Sequence, residues 1–291
     1  MEKLSNPKKT IETVRAHEFA TRKRFGQNFL VDGSVIDRIL EAAGSGPEDC
    51  VLEIGPGIGT LTQYLAERAG HVAAVEIDRD LIPILEDTLR AYDNVTVINR
   101  DILKTDLEEI AREYGGGRPL KVVANLPYYI TTPIVMSLLE GRAPLESMTV
   151  MVQKEVADRM LAKSGTREYG ALSLAVRYYA RPSVAAVVPP SSFYPRPKVD
   201  SAVVHLEMEG MPCLAVRDEK KMFALIRASF NQRRKTLING IGNAAGLPVT
   251  KEQAARALGE MGLKETVRGE QLTLEQFARL SDLLFPGEEG I

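Results

Sequence analysis

From residue 50 onward, short apolar runs alternate with stretches whose apolar positions recur at helical spacing. Cys50–Ile54 (CVLEI) is too short for a helix and is closed by Gly55, so it predicts a buried strand. Ile58, Leu61 and Leu65 then recur on one helical face. His71–Ile77 predicts a second strand, and Asp78 is placed to cap a helix carrying Leu81, Ile82, Leu85 and Leu89. Val95–Ile98 and Leu120–Ala124 predict a third and a fourth strand, with Gly115–Gly117 marking a surface loop between them. Thr132-Pro133 opens another helix, with proline in its first turn. Met148–Val152 predicts a fifth strand. Val184–Val188 and Ala202–Leu206 predict two more, separated by the Pro-rich stretch Pro189–Pro197. Strands alternating with helices predict the α/β class and a doubly wound, mostly parallel sheet of seven strands; the close final pair can include an antiparallel strand. After Met208 the strand pattern stops, and helices are expected over 218–230, 251–258 and 273–285. The expected organisation is a basic N-terminal arm over 1–24, flexible or helical, an α/β domain over 25–208, and a small helical domain over 209–291.

The 291 residues suffice for two domains, and 44% apolar with 26% charged residues is ordinary for a globular chain. No run approaches the ~18 apolar residues of a membrane span, and the basic first thirty residues lack a secretory apolar core. Cys50 and Cys213 alone suggest a reducing compartment, so a cytoplasmic protein is expected. His17, His71 and His205 lie far apart and offer no metal-ligand spacing. The net charge of −2 hides an asymmetry. Residues 1–24 carry seven Lys/Arg against three Asp/Glu, and residues 217–235 carry seven against two, on an otherwise mildly acidic body. Two basic zones of this kind suit a polyanion, although either alone could be a solvated helix face.

The first predicted strand runs into Glu53-Ile54-Gly55-Pro56-Gly57-Ile58-Gly59-Thr60. Glycines here permit a tight strand-to-helix turn and close backbone approach to a ligand. The dinucleotide fingerprint needs a glycine where Thr60 stands, and Pro56 removes an N–H from any phosphate cradle. A nucleoside ligand without phosphates is therefore favoured over a nicotinamide dinucleotide. Glu76 closes the second strand 21 residues after Gly55, Asp101 follows the third 25 residues on, and Asn125 follows the fourth after 24 more. Ligands of open α/β sheets sit at the carboxyl ends of strands. There Glu76 can accept from ribose hydroxyls and Asp101 from an adenine amino group.

Asn125-Leu126-Pro127-Tyr128 forms the turn after the fourth strand. An exocyclic adenine amine is a poor nucleophile because its lone pair is delocalised into the ring. The Asn125 side-chain oxygen and the Leu126 carbonyl can both accept from that NH₂, favouring a tetrahedral nitrogen and stabilising the positive charge that develops as it attacks. Tyr128 offers a face for base stacking, worth ~1–3 kcal/mol. No strong base is needed, since the product ammonium is acidic. Further along, Phe230-Asn231-Gln232-Arg233-Arg234-Lys235 interleaves aromatic, amide and cationic groups in a manner suited to RNA.

Gly26-Gln27-Asn28-Phe29-Leu30, Glu53–Thr60, Asn125–Tyr128 and the run Phe193-Tyr194-Pro195-Arg196-Pro197-Lys198-Val199-Asp200-Ser201 together resemble the signatures of the rRNA adenine N6,N6-dimethyltransferases, and most of all its bacterial small-subunit members. The resemblance covers roughly residues 20–290. It implies a Rossmann-like S-adenosylmethionine-dependent methyltransferase domain followed by a helical RNA- or ribosome-binding domain. It further implies that Asn28 and Leu30 contact S-adenosylmethionine beside Gly55 and Gly57, that Glu76 holds its ribose, and that Asp101 and Ile102 hold its adenine, with Asn125 next to it. Asn125 and Leu126 would orient the target amine, and Tyr128 and Phe193 would sandwich the target base. The implied substrate is a pair of adjacent adenines in a hairpin loop near the 3′ end of 16S rRNA, within an immature 30S subunit and without a membrane or metal. A monomer is expected. Arg22, Lys23, Arg24, Arg233, Arg234 and Lys235 are the expected RNA contacts. The competing expectations are a large-subunit rRNA adenine, as in macrolide-resistance relatives, and a non-catalytic 30S assembly factor.

Overall fold

The computed structural model describes residues 3–17, 28–141, 143–210, 212–244 and 246–286. Nine strands occur among them. β1 (Phe29–Leu30) and β8 (Phe193–Tyr194) form a two-stranded antiparallel ladder. The other seven make one sheet in the order β4-β3-β2-β5-β6-β9-β7: β2 (Cys50–Ile54), β3 (His71–Glu76), β4 (Val95–Asn99), β5 (Leu120–Asn125), β6 (Leu145–Gln153), β7 (Ala180–Val188) and β9 (Ser201–Met208). β2 pairs in parallel with β3 and β5, β3 with β4 and β5 with β6, while β9 runs antiparallel to β6. The expected α/β class with a mostly parallel sheet is what forms. The chain winds outward from β2 to β4, then returns to place β5 on the other side of β2. That reversal opens a crevice beyond the carboxyl ends of β2 and β5, where ligands of such sheets bind.

The helices are α1 (Pro7–Ala16), α2 (Gly33–Ala43), α3 (Thr60–Ala66), α4 (Ile82–Thr88), α5 (Leu107–Tyr114), α6 (Thr131–Glu140), α7 (Lys154–Leu161), α8 (Ala171–Tyr179), α9 (Glu219–Asn231), α10 (Leu237–Gly242), α11 (Lys251–Glu260) and α12 (Leu274–Leu284). Local chemistry sets many of their ends. Asp32 accepts from Ser34 N–H at 3.0 Å to start α2, and Gly44 closes it in the left-handed conformation. Reciprocal caps, Thr250 with Gln253 and Thr273 with Gln276, start α11 and α12. The apolar stripe of α2 (Val35, Ile36, Ile39, Leu40) and Leu61 and Leu65 of α3 meet Val51, Val72, Val123, Met151 and Val203 of the sheet in one buried cluster. β7 begins four residues before the pattern predicted. Pro182 interrupts the apparent strand, but β7 is the sheet's edge, where a missing N–H costs no ladder bond.

Two compact units divide the described residues. One contains those up to Ala157 together with Arg181–Gly210; the other contains Asp158–Ala180 together with those from 212 onward. The expected boundary at 208/209 therefore needs correction, because 158–180 belong with the C-terminal helices. Within that second unit Tyr178 of α8 meets Phe223 of α9 edge-on at 5.3 Å, and the Tyr169 hydroxyl donates to the Leu272 carbonyl at 3.0 Å.

The N-terminal arm, expected to be flexible or helical, forms α1 as far as it is described. Residues 3–17 are folded against the first unit. Leu4 and Val14 share a buried cluster with Phe29, Ile58, Leu81 and Leu85. Leu4 N–H donates to Gln63 at 3.3 Å, Ser5 and Tyr64 share a hydroxyl hydrogen bond of 2.6 Å, and Lys3 pairs with Glu67. Its basic composition concealed a small apolar face. We expect Leu4→Ala to destabilise the first unit by about 2–3 kcal/mol in urea unfolding, the low end for a buried leucine because the site is peripheral. A loss below ~0.5 kcal/mol, typical of surface changes, would show that the segment is not held.

Candidate active site

A cleft of about 1020 Å³, its open mouth included, lies at the sheet's reversal point. Its wall brings together Asn28, Leu30, Gly55, Gly57, Glu76, Asp101, Ile102, Asn125, Leu126 and Tyr128. These come from five separate stretches of chain, and the parallel register is what assembles them. Ile54 lies level with Val75 on one side and Ala124 on the other, so the residues after β2, β3 and β5 emerge at one edge.

The glycine turn is shaped by both conformation and space. Gly57 has φ +63°, and a Cβ there would meet the Phe29 ring at 3.2 Å. Gly59 has φ +90°, and its Cβ would stand 3.0 Å from Thr88 Oγ1 and 3.1 Å from Leu89. Both positions therefore exclude side chains. The third glycine falls one residue earlier than in a dinucleotide fold because α4 packs directly against it.

Glu76 is buried, and both of its oxygens are engaged: Oε1 accepts from Asp78 N–H at 2.8 Å and Oε2 from Gly57 N–H at 3.3 Å. Each oxygen keeps a second lone pair for a ligand hydroxyl. Burial pushes its pKa up to about 7, opposed by these backbone bonds and reinforced by the neighbouring Asp78 carboxylate. Asp101 spends Oδ1 on the Leu103 N–H at 3.0 Å, which fixes its carboxylate at the rim.

Glu53 escaped the sequence reading. It lines the cleft with only 1% of its surface exposed, and its Oε2 has no hydrogen-bond partner in the structure. Burial pushes its carboxyl up to about 8; the nearby Thr62 hydroxyl opposes this, and Glu76 adds to it. The signal available was a single acid inside an otherwise apolar strand. On that position a carboxyl must be buried, and buried carboxyls are kept for a reason.

At the end of β5, Asn125 Nδ2 donates to the Asn28 backbone carbonyl at 3.1 Å. A carbonyl can only accept, so the amide nitrogen must face Asn28 and Oδ1 must face away from it. The Leu126 N–H donates to the Met151 carbonyl at 3.1 Å, anchoring the turn to β6. Tyr128 is half-buried, and its hydroxyl shares a 2.6 Å hydrogen bond with Ser201, the first residue of β9 and the last of the Phe193–Ser201 motif. Burial raises the Tyr128 phenol pKa, partly countered by Ser201.

Phe193, expected opposite Tyr128, is buried behind the Asn28–Leu30 segment. Its side chain is 2% exposed, belongs to the buried cluster with Leu30, Ile36 and Val188, and is not part of the cleft wall. Its strand pairs Phe193 with Leu30, while Val31 N–H donates to the Ser192 carbonyl at 2.9 Å and Ser192 Oγ to Asp32 at 2.8 Å. Phe193 thus props the segment bearing Asn28 and Leu30.

The cationic candidates also separate. Arg233, exposed like its neighbours, donates to the Arg167 and Tyr169 carbonyls at 2.6 and 3.1 Å and faces Glu270 at 3.6 Å, so it also ties the helical unit together. Arg234 and Lys235 are exposed. Arg22, Lys23 and Arg24 lie outside the described residues. No cluster of metal-binding side chains occurs among the described residues, and no helix of theirs is long and apolar enough to cross a membrane.

The sequence matches the family model of the ribosomal RNA adenine dimethylases over residues 18–284. It is 57% identical to the ribosomal RNA small subunit methyltransferase A of Lachnoclostridium phytofermentans, over 97% of both chains. Its structure is similar to a dimethyladenosine transferase from Plasmodium falciparum, with TM-score 0.71 and 29% identity over 87% of this chain and 95% of that one. It also resembles the 23S rRNA methyltransferase ErmE, with TM-score 0.63 and 29% identity over 88% and 99% of the two chains.

The buried Glu53 generates a stability test. Its folded pKa lies above the ordinary 4.5, so between pH 4.5 and about 8 the folded chain holds a proton that the unfolded chain releases. Stability from this group therefore falls as pH rises through that window. We expect Glu53→Gln to raise the melting temperature of the ligand-free protein by roughly 5 °C at pH 8 and to change it little at pH 4.5. Equal shifts at both pH values in calorimetry would contradict the buried-acid account.

Proposed function

The chain belongs to the ribosomal RNA adenine dimethylase family, and from this we propose that it transfers methyl groups from S-adenosylmethionine to N6 of two adjacent adenines in a hairpin loop near the 3′ end of 16S rRNA, giving N6,N6-dimethyladenosine. The observation that carries the reading is the forced orientation of Asn125. With Nδ2 committed to Asn28, Oδ1 is the atom offered to an incoming amine. A 16S target is favoured over a large-subunit adenine because the 57% identity is to a small-subunit enzyme, against 29% for the 23S enzyme.

The donor set fits S-adenosylmethionine. Its ribose diol suits the second lone pairs of Glu76, its adenine suits Asp101 and Ile102, and its cationic groups suit the unpartnered Oε2 of the buried Glu53. Asn28, Leu30, Gly55 and Gly57 supply the close backbone wall. When bound, the cofactor supplies an electrophilic methyl group on a sulfonium centre. Asn125 Oδ1 and the Leu126 carbonyl accept from the target N6 hydrogens, drawing the nitrogen toward tetrahedral geometry and stabilising its growing positive charge. Tyr128, its hydroxyl tethered to Ser201, stacks against the target base. The methylated nitrogen then loses its proton to water, so no general base is required. Phe193 acts from beneath, by holding the Asn28–Leu30 wall.

The acceptor is the rRNA of an immature 30S subunit, met in the cytoplasm by a monomer. Arg234 and Lys235 of the helical unit, with the basic residues 22–24, contribute phosphate contacts that position RNA without reading its sequence.

Incubation with labelled S-adenosylmethionine and immature 30S particles should yield dimethyladenosine at two neighbouring 16S positions; label in 23S rRNA, or none despite cofactor binding, would overturn the reading. Asn125→Ala should lower kcat by about 10²-fold or more with cofactor Kd nearly unchanged, because its bonds strengthen as charge develops. Glu76→Ala should instead weaken cofactor binding by at least about tenfold, and an unaltered Kd would remove its ribose role. Replacing Arg234 and Lys235 together by alanine should flatten the salt dependence of particle binding by about one to two charges. Arg233→Ala should instead lower the melting temperature of the helical unit.

A further inference from the structure

The rim of the cleft exposes an aromatic ring that the chemistry above does not use. Tyr129 follows Tyr128 in the turn between β5 and α6, lines the same cleft, and is 56% exposed. Tyr128 is half-buried and tethered, so the two neighbouring rings divide between the interior of the cleft and its mouth. Arg100, half exposed and facing Glu109 at 3.6 Å, also lines the cleft. Ile77, another exposed apolar side chain of the wall, makes this rim apolar as well as cationic. A ring exposed on the wall of a cleft that takes a nucleobase offers a second flat face there, and aromatic faces in a cationic setting bind unstacked bases of single-stranded nucleic acid.

We propose that Tyr129 is a second stacking platform, one that binds the nucleobase adjoining the target adenine. The inference rests on the assigned rRNA substrate and extends it from one base to two. A base extruded into the cleft leaves its neighbour at the mouth, where Tyr129 is exposed. Stacking tolerates any base, so Tyr129 favours an open loop over a paired stem rather than reading sequence. After the first adenine is modified, its neighbour is already gathered at the mouth of the cleft.

The test uses the full-length protein and immature 30S particles. Tyr129→Ala and Tyr129→Leu should each raise KM for the particle by about tenfold while kcat and the S-adenosylmethionine Kd stay near wild type. Tyr129→Phe and Tyr129→Trp, which keep an aromatic face, should retain wild-type KM. If alanine and leucine leave KM unchanged, or if Tyr129→Leu performs as well as Tyr129→Phe, the platform is refuted. A weakened cofactor Kd in Tyr129→Ala would also refute it, by assigning the ring to the cofactor. A wild-type protein that leaves the particles unmethylated overturns the function itself, whereas an active wild type with indifferent variants overturns the platform alone.

Discussion

The site depends on one hydrogen bond between residues 97 positions apart, from Asn125 Nδ2 to the Asn28 carbonyl. A free asparagine amide presents donor and acceptor ends with nearly equal ease. A backbone carbonyl removes that ambiguity, because only the NH₂ end can satisfy it. Orientation of the Asn125 side-chain oxygen is therefore inherited from the position of the Asn28 backbone. That backbone is held in turn by the β1–β8 ladder, by the Val31–Ser192 and Ser192–Asp32 bonds, and by the burial of Phe193 against Leu30. Asn125 itself is fixed by β5, which pairs through Met151 with β6. Two parts of the chain that share no sequence proximity must both be correct before one oxygen points usefully.

Around that oxygen the wall is assembled at an electrostatic cost. Glu53 and Glu76 are two buried carboxyls on neighbouring strands; burial hinders the ionisation of both, Glu76 adds to it at Glu53 and Asp78 at Glu76. Glu76 is partly compensated by two backbone N–H groups; Glu53 Oε2 has no such bond. Burying two carboxyls with one oxygen left without a partner in the chain costs the fold stability, and a ligand bearing both hydroxyls and cationic groups relieves that cost in two ways at once. Affinity for such a ligand then comes in part from unmet demand within the protein, not only from new contacts.

Much of this was legible in the amino-acid pattern, for an identifiable reason. Strands β2 to β5 announce themselves as apolar runs, and a parallel sheet converts the residue after each run into a point on one edge. Gly55, Glu76, Asp101 and Asn125 could thus be gathered without coordinates. What stayed hidden depended on distant partners. β1 and β8 have two residues each, too few for any period, and exist only because they pair. Phe193 belongs to a motif whose spacing says nothing of the direction its ring takes. Residues 158–180 lie between two predicted strands of the α/β region, but Tyr178 among them packs edge-on against Phe223, far along the chain, as well as against its neighbour Tyr179. Arg233 lies in the same cationic run as Arg234 and Lys235, and only the carbonyls of Arg167 and Tyr169 distinguish it. Glu53 stands in a strand whose other members are apolar and buried, and such a run identifies the strand without showing that its one carboxyl faces a cleft.

The geometry also bears on how an adenine can be drawn out at all. Removing a base from its stack costs a few kcal/mol, least where it is already unpaired. A single tyrosine face returns ~1–3 kcal/mol, which leaves a stacked or paired adenine close to balance. Amine hydrogen bonds to Asn125 and Leu126 replace bonds already made to water, so their net return before the transition state is small. Phosphate contacts raise affinity for any RNA and cannot decide which base enters. Selection must then come mainly from the cost side. An unpaired loop with two adjoining adenines spends least on extrusion, and a cleft that carries Tyr128 on its wall and the exposed Tyr129 at its rim suits such a loop. On this reasoning the enzyme recognises its target less by reading adenine than by accepting only an RNA already prepared to give up two neighbouring bases.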